Sequence, residues 1–410
     1  MTDLATSQST LPTWVGRQPI LDPNLDVRGY EILYRDGLDD RADFSDSELA
    51  TARSFWNTFI ELGVDSVSPD QRTYINVTPA FLVGNCVEIF PPARIVLEIA
   101  ARESIDAAGL ARIAELRGRG YQAVLDGWDG RSVDLPVLTQ VSGVKLDVNA
   151  FSAEELEAAT KSALDRGLTV MSKKIEDYSS FERSRKLGHH SFQGHFLSRP
   201  QIVAGGRAAG DSVSRMRLIA AVNDVGGTVE KLVDVISQDL SLSFKLLRYV
   251  NSSLFSLPSE IESIRHAVDL LGPRWIRTWA NLMILANISD RPQAVLDNAV
   301  IRARMCETLA RRAECPKPEN YFTTGLFSSL DALFNRPLGE LLQELPLSRD
   351  LGDALLRHEG EMGEALACTL AYEHSAWDTV GFKGLEGGAI RDAYIESLRW
   401  AAELRRTGAA

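Results

Sequence analysis

The sequence predicts two folded units in one chain, an α/β unit of the (β/α) barrel kind followed by an all-α domain. Three observations carry this. From Trp14 to about Pro200, short β-like apolar runs alternate with helical patterns. The small, flexible run Gly205-Gly206-Arg207-Ala208-Ala209-Gly210 then interrupts the chain. Beyond it the strand signals vanish and apolar residues recur at helical spacing. A length of 410 residues gives each unit room for a core of its own. The chain therefore divides into a disordered polar arm over residues 1–13, a barrel over 14–204, a linker over 205–210 and a helical domain over 211–410.

Taken in order, residues 17–21 and 27–34 read as strands joined by a turn at Asp22-Pro23-Asn24. Residues 47–62 read as a helix, with Leu49, Phe55, Phe59 and Leu62 near helical spacing. Strands follow at 72–77 and 95–99, then a helix at 105–117. The apolar run Ala123-Val124-Leu125 ends in Asp126 and breaks at Gly127. It is a buried strand that delivers a carboxylate to its C-terminal edge, where barrel enzymes place their chemistry. A strand at 144–148 puts Lys145 and Asp147 on one face, because side chains alternate with period 2. A helix at 154–165, a strand at 168–171, a helix at 178–187 and a short strand from Phe192 complete the unit. Repeated β-α units imply a largely parallel sheet.

In the second half, Leu232, Val235 and Ile236 share a helix face. Ile264, Ala267, Val268 and Leu271 fall at i, i+3, i+4 and i+7 until Gly272-Pro273 stops the helix. Trp275, Trp279, Leu282, Met283 and Ala286 continue on another helix. Leu326, Leu330 and Leu333, then Leu338, Leu341, Leu342 and Leu345, extend the pattern.

The formal net charge of -12 argues against direct nucleic-acid binding or attachment to an anionic membrane. No apolar segment reaches the ~18 residues of a membrane span, and the N-terminus lacks the basic flank and apolar core of a signal peptide. Cys86, Cys306, Cys315 and Cys368 show no C-x-x-C spacing and read as reduced thiols of a cytoplasmic protein.

Glu31, Asn76, Glu98, Asp126 and Lys145 each lie at or beside the end of a predicted strand. Singly, each reads as a solvated strand end or a helix cap. Converging on one barrel mouth, they suit a divalent cation such as magnesium or manganese, with a phosphate. The ordered series Tyr30-Glu31-Ile32-Leu33-Tyr34-Arg35, Ile75-Asn76-Val77-Thr78, Leu97-Glu98-Ile99, Leu125-Asp126, Val144-Lys145-Leu146-Asp147 and Gln193-Gly194-His195-Phe196-Leu197-Ser198-Arg199-Pro200 resembles the motifs of EAL domains. These are modified TIM barrels that hydrolyse cyclic di-GMP with two divalent metals. The resemblance implies that Glu31, Asn76, Glu98 and Asp126 are vestigial metal ligands. Arg35, Lys145 and Gln193 would be ligand-binding, and Lys145 and Glu176 what remains of the catalytic set.

The chain departs from that pattern in two places. Where active members carry D-D-F-G it has Asp126-Gly127-Trp128-Asp129, so Gly127 replaces a metal-binding aspartate. Where they carry A-E-G-V-E it has Ser172-Lys173-Lys174-Ile175-Glu176, so Lys173 replaces a catalytic-site glutamate. Asp129 could stand in only from two residues further on. The expectation is a degenerate phosphodiesterase that requires no cofactor, with magnesium or manganese the ion if any binds. Without metal, Arg35, Lys145, Lys173 and Lys174 could hold the phosphates of cyclic di-GMP. Lys173 and Lys174 read equally as surface lysines.

The second half resembles the HDOD domain, an all-helical relative of HD phosphohydrolases. The resemblance rests on Leu240-Ser241-Leu242-Ser243-Phe244-Lys245-Leu246-Leu247-Arg248-Tyr249-Val250-Asn251-Ser252, on Ile264-Arg265-His266-Ala267-Val268-Asp269-Leu270-Leu271-Gly272 and on Gly325-Leu326-Phe327-Ser328-Ser329-Leu330-Asp331. An HD enzyme would show an adjacent His-Asp pair in the last segment; Ser328-Ser329 stands there, and no His-Asp dipeptide occurs in the chain. His189, His190, His266, His358 and His374 read as surface or buried neutral histidines. The order of the halves resembles bacterial EAL–HDOD signalling proteins. That implies a non-catalytic signal-transduction protein, its barrel sensing a nucleotide or partner and its helical domain contacting a protein partner. A weak metal-dependent phosphodiesterase and a ligand-free scaffold are the alternatives. Apolar surface on EAL-like barrels also implies a homodimer.

Overall fold

The strands close on themselves because each is short, apolar and punctuated by a turn or a helix. A computed structural model describes residues 13–36, 68, 71–83, 87–88, 90–103, 105–132, 136–198, 210–224, 228–251, 261, 263–286 and 292–406. The strands are β1 (Thr13–Leu21), β2 (Val27–Asp36), β3 (Arg72–Val77), β4 (Ile95–Ala100), β5 (Gln122–Asp126), β6 (Gly143–Asp147), β7 (Thr169–Ile175) and β8 (Ser191–Gly194). They form a closed barrel in sequence order. Every ladder from β2 to β8 is parallel, whereas β1 is antiparallel to both of its neighbours. The connection from β1 to β2 explains this. It is a tight turn in which Asp22 Oδ1 accepts from the backbone N–H of Asn24 and Asp26, too short for a parallel crossover.

Helices α1 (Pro79–Val83), α2 (Ala107–Gly118), α3 (Ala153–Leu164) and α4 (Tyr178–Lys186) alternate with the parallel strands. Their starts are written in the sequence. Asp106 and Asp177 cap α2 and α4, and Ser152 with Glu155 forms a capping box on α3. The helix expected at 47–62 lies outside the described residues.

Period 2 fills the barrel in layers. Ile20, Tyr74, Val96, Val124 and Met171 form a small buried cluster of their own. Two residues along the same strands stand Gln18, Asn76, Glu98, Asp126 and Lys173, so a polar layer lies over the apolar one.

The second half is helical: α5 (Gly210–Val222), α6 (Val229–Gln238), α7 (Leu240–Val250), α8 (Ile264–Leu271), α9 (Pro273–Ala286), α10 (Gln293–Arg312), α11 (Pro318–Phe327), α12 (Leu330–Phe334), α13 (Leu338–Gln343), α14 (Arg349–Arg357), α15 (Gly360–Glu373) and α16 (Gly387–Arg406). Residues 205–209 of the expected linker lie outside the described residues, and Gly210 already belongs to α5. Leu326, Leu330 and Leu333 do not share one helix, because the chain breaks between α11 and α12 at Ser328-Ser329. Gly325 lets α11 approach α10, since a Cβ there would stand 2.6 Å from Ala303 Cα.

The two halves share one buried cluster. It holds Trp14, Leu21, Phe181, Phe192 and Phe196 of the barrel together with the helical core. Trp14 stacks on Trp377 at 5.8 Å and meets Tyr372 edge-on at 5.7 Å. The Tyr372 hydroxyl donates to the Val15 carbonyl at 3.0 Å. Among the described residues no helix is long and apolar enough to cross a membrane.

Candidate functional site

Strand register brings most of the expected residues to one point inside the barrel mouth. Lys145 on β6 is 1% exposed, and its ammonium lies 2.8 Å from Glu31 Oε2 and 2.7 Å from Glu98 Oε1. Glu31 Oε1 accepts from Asn76 Nδ2 at 2.9 Å, and its Oε2 accepts from Gln193 Nε2 at 2.5 Å. Gln193 Nε2 also donates to Gln18 Oε1 at 2.8 Å. Glu31, Asn76, Glu98, Lys145 and Gln193 thus make one network, to which Gln18 also belongs. Gln18 is not legible in the sequence, because it follows Arg17 with no alternation of polar and apolar residues to mark its inward face.

The two glutamates are driven apart in acidity. Burial works against the charge on Glu31, but the Lys145 ammonium and the hydrogen bonds from Lys145, Gln193 and Asn76 outweigh it and bring the carboxyl down to about 2. Complete burial pushes Glu98 up to about 8, with Lys145 opposing and Glu31 adding to the rise. Glu98 Oε2 has no hydrogen-bond partner among the described residues. Burial also works against the Lys145 ammonium, yet the Glu98 and Glu31 carboxylates raise it above an ordinary lysine. These are the environments that separate titrating groups.

Asp126 is treated differently. Its two oxygens lie 2.7 and 2.8 Å from the Lys173 ammonium, which offsets its charge. Gly127 follows at φ +72, in the left-handed region, and a Cβ there would stand 3.7 Å from Lys173 Nζ. The position of the missing aspartate therefore faces a lysine. Lys174 pairs with Asp147 at 2.7 Å and is largely exposed. Asp129 turns away to close a local turn, accepting from the backbone N–H of Arg131 and Ser132 and from the Ser132 hydroxyl. Glu176 is exposed just beyond β7. The Arg35 backbone pairs with Trp14, and its side chain lies outside the described residues.

The remaining titratable groups have structural roles. His189 is buried between the Thr160 hydroxyl at 2.7 Å and the Ser172 hydroxyl at 2.5 Å, and burial pushes it down to about 4, which keeps it neutral. In the helical half, Arg302 sits where Ser328-Ser329 replaces a His-Asp pair. Its guanidinium donates to Ser328 Oγ at 2.9 Å, to Ser329 Oγ at 3.1 Å and to Glu373 at 2.8–3.2 Å. Cys306, Cys315 and Cys368 are buried free thiols, and burial pushes Cys306 up to about 12. Among the described residues, no group of three or more His, Cys, Asp and Glu is placed to hold a metal ion.

Comparison with known proteins agrees with this division. The HDOD domain family model matches residues 212–350. The uncharacterized protein YuxH of Bacillus subtilis is 29% identical over 402 residues, covering 95% of this chain and 98% of that protein. The cyclic di-GMP phosphodiesterase CdgJ of Vibrio cholerae is 29% identical over 403 residues, covering 96% and 93%. Among solved structures, the PaMucR phosphodiesterase in complex with c-di-GMP aligns with 46% of this chain and 97% of its own, at 19% identity and a TM-score of 0.39. The Bacillus subtilis YkuI protein, with an EAL domain, aligns with 55% of this chain and 72% of its own, at 16% identity and a TM-score of 0.39. With residues 212–350 matched by the HDOD model, a closed eight-stranded barrel ahead of them and relatives aligned over nearly their full length, the chain joins an N-terminal barrel to a C-terminal HDOD domain.

Proposed function

We propose that this chain is a non-catalytic, cyclic di-GMP-related signal-transduction protein. Its barrel receives a nucleotide or partner, and its HDOD domain passes the state to a protein partner in the cytoplasm. The observation that carries the reading is the Lys173–Asp126 pair beside Gly127. A pair of catalytic dications about 4 Å apart needs bridging carboxylates. Here one candidate ligand is already covered by an ammonium and its neighbour is absent. A dication about 4 Å from that ammonium would be repelled by ~8 kcal/mol at an effective dielectric near 20, an upper figure because the side chain can swing away. The donor set of Glu31, Asn76, Glu98 and Asp126 therefore does not suit two ions. In a metal-free complex the phosphate contacts would come from Arg35, Lys145 and Gln193, joined by Lys173 and Lys174 where these exchange their carboxylate partners.

A second reading, a weak metal-dependent phosphodiesterase, draws on one specific observation. Glu31, Asn76, Glu98 and Lys145 still form one network, and CdgJ is by its name a cyclic di-GMP phosphodiesterase. Incubation of the full chain with cyclic di-GMP and manganese or magnesium, followed by chromatography, separates the two. We expect intact dinucleotide. Turnover that Glu31→Ala abolishes would overturn the proposal. Calorimetry with cyclic di-GMP in the same buffers distinguishes a nucleotide sensor from a ligand-free scaffold, and analytical ultracentrifugation tests whether the chain is a homodimer.

A further inference from the structure

A cavity of about 600 Å³ lies in the helical half, lined only by helical-domain residues. That volume is typical of small-molecule sites, which run from about 300 to 1,000 Å³. Its wall is aromatic. Tyr249 on α7 lies nearly parallel to Trp275 on α9 at 6.0 Å and 7°, and to Trp279 at 6.2 Å and 20°. From the other side, Trp400 on α16 meets Phe322 on α11 edge-on at 5.9 Å. Trp275 and Trp400 are only half-buried. Trp279 is 3% exposed, yet its indole N–H has no acceptor among the described residues. A buried donor without an acceptor is the kind of group that a ligand completes.

The rim carries arginines. Arg274 and Arg311 line it with side chains 59% exposed, and Arg304 lies 5.4 Å from the centre of the Trp400 ring. Each has a carboxylate neighbour: Arg274 with Glu319 at 2.9 Å, Arg311 with Glu307 at 2.7 Å, and Arg304 with Glu307 at 2.8 Å and Glu396 at 3.0 Å. Arg274 and Arg311, each 59% exposed, are held weakly and can exchange partners, whereas Arg304 and Glu307 are largely buried and stay paired. The guanidinium fork can then turn two donors to a phosphate. The lining holds three arginines and two glutamates, with Glu396 beside Arg304 as a third carboxylate, so what the rim offers is guanidinium donors and not a net charge. A flat π wall, an unanswered buried donor and an arginine rim match a ligand with a planar heterocycle and an anionic group.

We propose that this cavity binds a purine nucleotide, its base against Trp275 and Tyr249 and its phosphate at Arg274 and Arg311. Base stacking on aromatic side chains tolerates different bases, so the site selects the class rather than one member. The site is independent of the barrel mouth and does not rest on the function proposed above.

The test uses the full chain, titrated with GMP and with AMP by calorimetry and by quenching of tryptophan fluorescence. Guanosine and inorganic phosphate serve as the separate halves of the ligand. We expect one site per chain for at least one nucleotide, with each half binding at least tenfold more weakly. Trp275→Ala and Arg274→Ala should each weaken the nucleotide at least tenfold with unchanged thermal midpoints, and Lys161→Ala, at an exposed position of α3, should leave it unaltered. Absence of saturable binding by both nucleotides would overturn the proposal. So would phosphate alone binding as tightly as GMP, or affinity unchanged in both cavity variants.

Discussion

Returning acidic groups to the barrel mouth tests the central electrostatic reading most directly. The perturbation is Gly127→Asp combined with Lys173→Glu. In the native chain, Glu31, Glu98 and Asp126 face Lys145 and Lys173, a formal sum of three negative charges and two positive, or -1. The double variant takes that sum to -4. An aspartate at φ +72 costs on the order of 1 kcal/mol, since Asp visits the left-handed region more readily than most residues. Gly127→Asp alone should not help, because its carboxylate would meet the Lys173 ammonium. Removing the ammonium relieves up to ~8 kcal/mol of repulsion on a dication, and screening leaves only a part of this. We expect manganese affinity to rise at least a hundredfold, about 2.7 kcal/mol. Calorimetry of manganese into the native chain, both single variants and the double variant reads this out. Glu98 should also give up its proton on metal binding, so the heat should depend on the buffer's ionisation enthalpy near neutral pH. No gain in a cooperatively folding double variant, or an equal gain in Gly127→Asp alone, would refute the reasoning.

The other predictions concern buried charge. Lys145→Met strands Glu31 and Glu98 without their ammonium and should cost about 3–5 kcal/mol in urea unfolding; an unchanged midpoint would contradict the assigned network. Glu98 is raised from an ordinary 4.5 to about 8, so its contribution to stability is fully present below about pH 4.5 and is lost as pH rises through 8. Glu98→Gln should flatten the stability profile over that window by an amount on the order of 4 kcal/mol, and a profile parallel to the native one would show that Glu98 is ionised throughout. Glu31 has the opposite sign: lowered to about 2, it stabilises above 4.5, and that contribution disappears as pH falls toward 2. Arg302→Met leaves Glu373, Ser328 and Ser329 without their donor and should lower stability by about 3–5 kcal/mol in thermal unfolding; a neutral effect would mean the guanidinium is not paired there.

Much of the barrel was legible because its signals are local. Asp106, Ser152 and Asp177 mark helix starts, and Gly127 marks the end of β5. The convergence of Glu31, Asn76, Glu98 and Lys145 follows from period 2 on neighbouring strands, once the strands are placed. What the sequence could not show depends on register between distant segments. Lys173 reaches Asp126 because β5, β6 and β7 pair so that Asp126 lies beside Lys145 and Asp147 beside Lys173. Nothing within Ser172-Lys173-Lys174 separates a half-buried ion pair from a solvated lysine. Similarly, the leucine spacing from Leu326 to Leu333 runs through a break, because Arg302 from another helix binds the two serines there. The aromatic cavity draws on α7, α9, α11 and α16, so no local window could reveal it.

The same geometry makes the charge on Glu31 felt well beyond the mouth. Gln193 Nε2 donates to both Glu31 and Gln18, and turning the amide over would set its carbonyl oxygen against a carboxylate held ionised down to about pH 2. Ionised Glu31 therefore fixes the orientation of Gln193. Gln18 must then accept through Oε1, which turns its own amide N–H toward His195 Nε2, 3.4 Å away. His195 accepts at Nε2, and in its neutral form it carries the proton on Nδ1. Its ring packs 4.5 Å from that of His374, the residue after Glu373, which holds Arg302 at Ser328-Ser329. A polar line of this kind, buried at Glu31 and Gln193 and half-buried at Gln18 and His195, has a direction set by which member donates. The charge on one carboxylate inside the barrel thus sets two amide orientations and one histidine tautomer at the boundary with the helical half.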